Sequence, residues 1–177
     1  LEWGVDFLQK LQGMFALLLW DEREQRLIAA RDRMGIKPLY WAQVGDKIVF
    51  GSEIKALLST GFIERKLNLQ AVHNFLTFYS VPAPDTMIDG IQALLPGHYL
   101  LWENGNIRDL IYWDLPVYSP LKMDETEMRL ELRRLLEEAT RLRMIADVPV
   151  GAFLSGGIDS SSMVVITSTK GTAAITP

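Results

Sequence analysis

The feature that most constrains the fold of this chain is a six-residue loop between an apolar segment and a helical one. Residues 155–160 read Ser-Gly-Gly-Ile-Asp-Ser, and residues 148–154 before them are apolar enough for a buried strand. Because glycine has no Cβ atom, the backbone at Gly156 and Gly157 can turn sharply and approach an anion closely. Successive N–H groups and the positive end of a helix predicted from about Ser160 would converge on that anion. The sequence therefore predicts a strand, a phosphate-binding loop and a helix.

Two widespread phosphate motifs do not fit this loop. No lysine follows the glycines as in Gly-x-x-x-x-Gly-Lys-Ser/Thr, and the glycine spacing differs from Gly-x-Gly-x-x-Gly. A tight strand-to-helix turn with Ser and Asp as caps is the structural alternative for two glycines alone. The complete hexapeptide between a strand and a helix favours a nucleotide site. Phosphate would repel Asp159, so its expected task is to fix the loop through backbone N–H groups or to hold a metal ion.

The part of the chain before this loop is rich in short strands and tight turns. Strands are predicted at 14–20, 26–31, 38–42, 47–50, 99–102 and 107–113. The first is apolar at every position, which predicts that it is covered on both faces. Asn104-Gly105 is a strong hairpin signal. Strands this close in sequence indicate a mainly antiparallel sheet, and four tryptophans on or beside them are expected in the core: Trp20, Trp41, Trp102 and Trp113.

Four helices are predicted before the loop, and three of them have N-cap residues. A short helix at 7–12 ends before Gly13. The others are 53–58 after Ser52, 69–79 after Asn68, and 124–145 with Asp124 and Glu127 as a capping box. The last carries one apolar face, formed by Met128, Leu132, Leu135, Ala139 and Leu142. The change from hairpins to a helix–strand–loop–helix order indicates two domains of different class.

Composition narrows the function classes. Of 177 residues, 49% are apolar, so the chain can build a packed core. Its net charge of −4 makes nucleic acid a poor partner. It contains no cysteine, which removes disulfides, thiolate metal sites and a cysteine nucleophile and fits a cytoplasmic location. With two histidines and no cysteine a metal site is not expected. No apolar run has the length of a membrane helix.

The hexapeptide resembles the signature of the ATP-pyrophosphatase superfamily, whose members split ATP between the α and β phosphates. The wider segment 148–161, Val-Pro-Val-Gly-Ala-Phe-Leu-Ser-Gly-Gly-Ile-Asp-Ser-Ser, is similar to asparagine synthetases. Three earlier segments resemble the later half of the class II glutaminase domain: Gly-Met-Phe-Ala…Trp-Asp at 13–21, Ala-Arg-Asp-Arg-Met-Gly-Ile-Lys-Pro-Leu-Tyr at 30–40, and Phe-Gly-Ser-Glu-Ile-Lys-Ala-Leu at 50–57. The second is shared with amidophosphoribosyltransferases. Tyr-Ser-Val-Pro-Ala-Pro-Asp-Thr at 79–86 and Leu-Pro-Gly-His-Tyr at 95–99 again resemble asparagine synthetases.

This resemblance implies a two-part chain, α+β and then α/β. Residues 1–115 would be the later half of a class II glutamine amidotransferase antiparallel β sandwich (αββα), 116–123 a linker, and 124–177 the start of an adenine-nucleotide α-hydrolase-like (PP-loop) domain. It implies asparagine synthesis from aspartate and glutamine, with ATP and Mg²⁺ as cofactors and a homodimer as a further expectation. ATP or pyrophosphate is expected at Leu154, Ser155, Gly156, Gly157, Asp159 and Ser160. No catalytic residue and no metal ligand is assigned.

Two alternatives stay open beside this one, a ligase with a different acceptor and a non-catalytic chain. In the family a cysteine cleaves glutamine, so these residues alone are expected to be inactive. The acceptor would differ in a β-lactam synthetase or a sugar amidotransferase of the same plan, and a truncated chain would not catalyse at all.

Arg31, Asp32 and Lys37 could bind substrate, although a structural ion-pair turn is favoured. Residues 166–177 depart from the family pattern and are rich in threonine, a weak helix former, so the last helix is expected to stop early.

Overall fold

The computed structural model describes residues 2–120, 122–168 and 174–176 of the chain. They form two compact units, Leu1–Pro116 and Val117–Pro177. The predicted domain limits of 115 and 124 stay a prediction, and so does the linker. Within the described residues no helix is both long and apolar enough to cross a membrane.

The first unit is built from short strands and three helices after a 3-10 turn at Gly4–Asp6. The helices are α1 (Phe7–Lys10), α2 (Ile54–Ser59) and α3 (Leu69–Phe78). The strands are β1 (Ala16–Asp21), β2 (Arg26–Arg31), β3 (Tyr40–Val44), β4 (Lys47–Gly51), β5 (Gln92–Ala93), β6 (His98–Glu103) and β7 (Asn106–Ile111). The six predicted strands are all present, whereas β5 carries too little pattern to be predicted.

The strands of the first unit form two antiparallel sheets. The first sheet has the order β1-β2-β6-β7, and the second has the order β4-β3-β5. The strands that follow one another in sequence divide between these sheets, because β2 pairs with the distant β6 and not with its neighbour β3. The hairpin between β6 and β7 is confirmed. Its two turn residues, Asn104 and Gly105, have φ of 51° and 77°, the positive values that a two-residue hairpin turn requires.

Three apolar clusters hold these sheets and helices together. Leu8 of α1 packs on one face of the first sheet, against Ile28 and Leu101. The opposite face meets the second sheet, where Ala29 and Leu100 join Leu39 and Leu94. The far face of the second sheet packs on α2 through the contact of Ala42 with Leu57. The layers therefore follow the order helix, sheet, sheet, helix.

The prediction that β1 is covered on both faces was wrong. Leu17 and Leu19 pack into the cluster under α1, but Leu18 is 51% exposed and Trp20 is 49% exposed. The assignment of Trp20 to the core fails for the same reason, although its ring lies 6.0 Å from that of Trp102. β1 is an outer strand of its sheet, and its second face is only partly covered. An unbroken apolar run cannot distinguish a covered central strand from an open edge.

Helix starts agree with the sequence where a side chain can reach the first turn. The Asn68 side chain accepts from the Ala71 N–H at 3.1 Å, which confirms the N-cap of α3. The predicted cap of α2 was wrong, because Glu53 and not Ser52 occupies the N-cap position and makes no capping bond. The first helix is shorter than predicted and ends at Lys10.

The second unit contains α4 (Glu125–Arg143), β8 (Gly151–Phe153), α5 (Ile158–Ser168) and β9 (Ala174–Thr176). β8 and β9 pair in parallel with α5 between them. The prediction of a buried strand at 148–154 was wrong in length and burial, since Phe153 is 96% exposed. β9 was not predicted, because the threonine-rich segment that contains it shows no clear strand pattern. The prediction for the remaining tail, 169–173 and 177, lies outside the described residues.

Helix α4 begins with the capping box that the sequence predicts. Asp124 Oδ1 accepts from the Glu127 N–H at 2.9 Å, and Glu127 Oε2 accepts from the Asp124 N–H at 3.3 Å. These two bonds satisfy donors that the helix itself leaves unpaired.

Replacing Asp124 by alanine is therefore expected to weaken the first turn of α4 by about 1 kcal/mol. Amide hydrogen exchange at Glu127 measures the effect, because its N–H group bonds to the Asp124 side chain that the substitution removes. Asp147→Ala is the control, since Asp147 is exposed and outside any helix. An equal loss of protection in both variants would contradict the capping role.

Candidate phosphate-binding loop

The predicted loop joins β8 to α5 and is open to solvent. Gly156 has φ of +80°, a left-handed conformation that favours glycine, and no atom lies within 4 Å of the position of a Cβ there. A Cβ on Gly157 would meet only the hydroxyls of Ser155 at 3.6 Å and Ser160 at 3.9 Å. The backbone at both glycines is thus accessible to a ligand from outside.

Helix α5 directs unpaired donors into this opening. Its N–H ladder starts with Ser161, which donates to the Gly157 carbonyl at 3.0 Å. The N–H groups of Ile158, Asp159 and Ser160 find no acceptor within the described residues. Free N–H groups at a helix start carry partial positive charge, so they attract an anion.

A pair of hydroxyls closes the loop across its two ends. Ser155 Oγ and Ser160 Oγ lie 2.9 Å apart, and Ser160 Oγ also lies 3.1 Å from the Gly157 carbonyl to which it donates. Both serines were expected to bind ATP or pyrophosphate, but no sequence signal indicates that their hydroxyls bond to each other. Contact between positions five residues apart depends on the turn geometry, which the composition of the loop does not fix.

Asp159 and Leu154 are exposed, like most of the loop. No group in the described residues hydrogen bonds to the Asp159 carboxylate, so the expectation that it fixes the loop through backbone N–H groups is not met. A metal-binding role for Asp159 remains an expectation. Among the described residues no cluster of three or more potential metal ligands exists. The donor set of the loop therefore fits a phosphate group by itself and would hold a cation only through further ligands.

Arg31, one of the residues considered for substrate binding, instead anchors the turn after β2. Its guanidinium donates to three backbone carbonyls, those of Leu94 at 2.6 Å, Gly35 at 2.7 Å and Lys37 at 2.9 Å. The Arg31 carbonyl in turn accepts from the Tyr112 hydroxyl at 2.8 Å. Because these three guanidinium nitrogens donate to backbone carbonyls, the role of Arg31 is structural.

Asp32 has a similar role from the buried side of the same turn. It is 1% exposed, and its carboxylate accepts from the N–H groups of Lys37 at 2.9 Å, Ile36 at 3.0 Å and Met34 at 3.1 Å. Burial raises the pKa of Asp32, but these backbone donors outweigh it and hold the pKa below its ordinary value. The structural interpretation of Arg31 and Asp32 is confirmed, but the predicted ion pair was wrong because both of these side chains bind backbone groups. The third residue considered, Lys37, is exposed.

Two protein families match this chain, one in its first part and the other in its second part. Residues 1–113 match the family described as the glutamine amidotransferase domain. Residues 131–176 match the family described as asparagine synthase, and this match contains the whole loop.

Individual relatives match across both parts. A putative glutamine-hydrolysing asparagine synthetase 2 of Methanocaldococcus jannaschii is 35% identical over 91% of this chain and 32% of its own length. Glutamine-hydrolysing asparagine synthetase 1 of Bacillus subtilis is 35% identical over 89% of this chain and 25% of its own length. Amidase chry2 of Gibberella zeae is 40% identical over 91% of this chain and 24% of its own length. The chain thus spans about a quarter to a third of these relatives. It is similar to these relatives over both of its parts, and it belongs to the glutamine amidotransferase domain family.

Proposed function

We propose that residues 155–160 bind the pyrophosphate part of ATP in an enzyme that forms asparagine. The overall reaction consumes ATP, aspartate, glutamine and water and yields asparagine, AMP, pyrophosphate and glutamate. One observation carries the proposal: three unpaired N–H groups at the start of α5 lie beside two accessible glycines. The asparagine synthase match over 131–176 supports it.

The contribution of this loop to the reaction is electrostatic. The backbone at Gly156 and Gly157, the hydroxyls of Ser155 and Ser160, and the start of α5 would hold pyrophosphate and stabilise the charge that develops as it leaves. The Leu154 backbone would contact the nucleotide. Mg²⁺ supplies charge neutralisation of the phosphates when bound. Asp159 is the loop residue suited to hold it, with phosphate oxygens and water as the other ligands.

The fold supports a more detailed proposal for each unit. The helix, sheet, sheet, helix order of the first unit fits the later half of a class II glutaminase sandwich. The parallel β8 and β9 with α5 between them fit the start of a PP-loop domain, where ligands bind beyond the carboxyl ends of the strands. Since the chain contains no cysteine, residues 1–177 alone are proposed not to hydrolyse glutamine by the family's route.

A second candidate is an enzyme with the same two domains in the same order that acts on a different amide. The 40% identity to amidase chry2 favours it. The two candidates differ in the acceptor. The product of the complete reading frame that contains these residues should release pyrophosphate from ATP in an aspartate-dependent reaction if asparagine is formed. Release with another carboxylate but not with aspartate would favour the second candidate.

Replacing Gly157 by valine is expected to weaken pyrophosphate binding at least about tenfold, which corresponds to about 1.4 kcal/mol. The Cβ would make ordinary contacts of 3.6 Å and 3.9 Å with the serine hydroxyls, so the loop tolerates it. The branched side chain would lie in front of the donors. Isothermal titration of the chain with pyrophosphate measures the loss.

Ser162→Ala serves as the control for this measurement. The Ser162 hydroxyl donates to the Ile158 carbonyl of its own helix at 2.7 Å and is not part of the loop. Its removal should leave pyrophosphate affinity unchanged. Equal affinity of Gly157→Val and the unaltered chain would refute the assignment of the site.

A further inference from the structure

A buried hydroxyl joins the two helices of the second unit. Thr140 of α4 is 4% exposed, and its hydroxyl donates to the Met163 sulfur of α5 at 3.7 Å. A threonine inside a helix often donates to a carbonyl one turn earlier in the same helix. Thr77 and Thr167 do so, at 2.9 Å to the His73 carbonyl and at 2.8 Å to the Val164 carbonyl. Thr140 instead uses its hydroxyl for a contact between helices.

This contact lies one helical turn from the phosphate-binding loop. Ser160 and Met163 are three residues apart, so their side chains lie on the same face of α5. That face continues to Thr167, which is buried. Ser160 Oγ also lies 2.9 Å from Ser155 Oγ at the other end of the loop. The face of α5 that carries a loop hydroxyl is therefore the face that Thr140 contacts.

We propose that Thr140 positions the start of α5 for anion binding, an inference that rests on the proposed function of the loop. The N–H groups of residues 158–160, which have no acceptor in the described part of the chain, belong to α5 and move with it. Apolar packing between helices is non-directional, so it leaves the rotation and translation of α5 poorly defined. A hydrogen bond has a preferred length and angle, so the Thr140 hydroxyl limits both motions.

Amide hydrogen exchange in the full chain without ligand tests the positioning alone. Thr140→Val removes the hydroxyl and keeps a β-branched side chain of similar shape. The Ser161 N–H forms the first bond of the α5 ladder, and its exchange should become about threefold faster or more.

Thr167→Val is the matched control for this measurement. Thr167 is buried on the same face of α5, but its hydroxyl donates to the Met163 and Val164 carbonyls of its own helix. Its replacement should leave the exchange of Ser161 unchanged. A general loss of stability in α5 would instead accelerate the exchange in both variants.

Titration with pyrophosphate then measures the consequence for the site. Thr140→Val should weaken pyrophosphate binding about threefold or more, because the donors are less well placed. Thr140→Ser keeps the hydroxyl and should bind pyrophosphate as the unaltered chain does. Thr167→Val should also leave the affinity unchanged.

The two measurements separate this inference from the proposed function. If the unaltered chain binds no pyrophosphate, the proposed function fails, and faster Ser161 exchange in Thr140→Val alone would still support the positioning of α5. Equal Ser161 exchange in Thr140→Val and the unaltered chain would overturn it, and so would equal acceleration in Thr167→Val. If the unaltered chain binds pyrophosphate and Thr140→Val binds it equally well, the role of Thr140 is likewise refuted.

Discussion

Replacement of Gly97 by alanine is expected to lower the free energy of unfolding of the first unit by about 3 kcal/mol or more. The new Cβ would clash with the Trp113 carbonyl oxygen, and the φ of +71° is itself strained for alanine. The backbone cannot easily withdraw, because the Gly97 carbonyl accepts from the N–H groups of both Tyr112 and Trp113. The Gly97 N–H also donates to the Asp32 carbonyl at 3.1 Å.

Gly105→Ala separates the steric clash from the backbone strain. Gly105 has a similar φ of +77°, but no atom lies within 4 Å of its Cβ position. Its replacement should cost only about 1 kcal/mol. Urea unfolding followed by tryptophan fluorescence reports on the first unit alone, because all five tryptophans lie within Leu1–Pro116. Similar losses in the two variants would show that the contact with Trp113 does not decide the cost.

The second large effect is expected for Asp32→Asn, with a loss of about 2 kcal/mol in the free energy of unfolding at neutral pH. The asparagine oxygen can replace Oδ1, which accepts from Met34 and Ile36. The amide nitrogen would then face the Lys37 N–H that Oδ2 accepts at 2.9 Å, so two donors would oppose each other in a buried turn. The same fluorescence experiment measures this loss.

The difference between this variant and the unaltered chain should depend on pH. The folded chain holds the pKa of Asp32 below its ordinary value, so the unfolded chain binds the proton more readily. The stabilisation is therefore complete above the unfolded pKa of about 4 and is lost as pH falls through the folded value. Asp46→Asn, in an exposed turn, is the control and should cost little at any pH. A difference that grows on acidification would contradict this account.

Local chemistry explains which elements the sequence could predict. The Asn104-Gly105 turn, the Asn68 cap and the Asp124 capping box depend on residues within one turn of each other. Their geometry follows from side chains that are adjacent in sequence. The Ser-Gly-Gly loop between a strand and a helix was predicted for the same reason.

Long-range contacts explain the failures. Whether β1 is covered depends on what packs against it, and the division of the strands into two sheets depends on the pairing of β2 with β6. Strand β9 forms only because β8 provides a parallel partner. At the loop, the hydroxyl contact between Ser155 and Ser160 required the turn geometry itself.

The two serine hydroxyls of the loop can form hydrogen bonds in two different ways. Ser155 and Ser160 hold one hydroxyl proton each, and two arrangements satisfy the observed distances. If Ser160 donates to the Gly157 carbonyl and Ser155 donates to Ser160, both protons are used inside the loop. If Ser160 donates to Ser155, the proton of Ser155 is free to point outward, and the Gly157 carbonyl keeps the Ser161 N–H. A phosphate bound as proposed would select the second arrangement at the cost of one hydrogen bond, about 1 kcal/mol. Ser160 would thus determine whether Ser155 can serve as a donor.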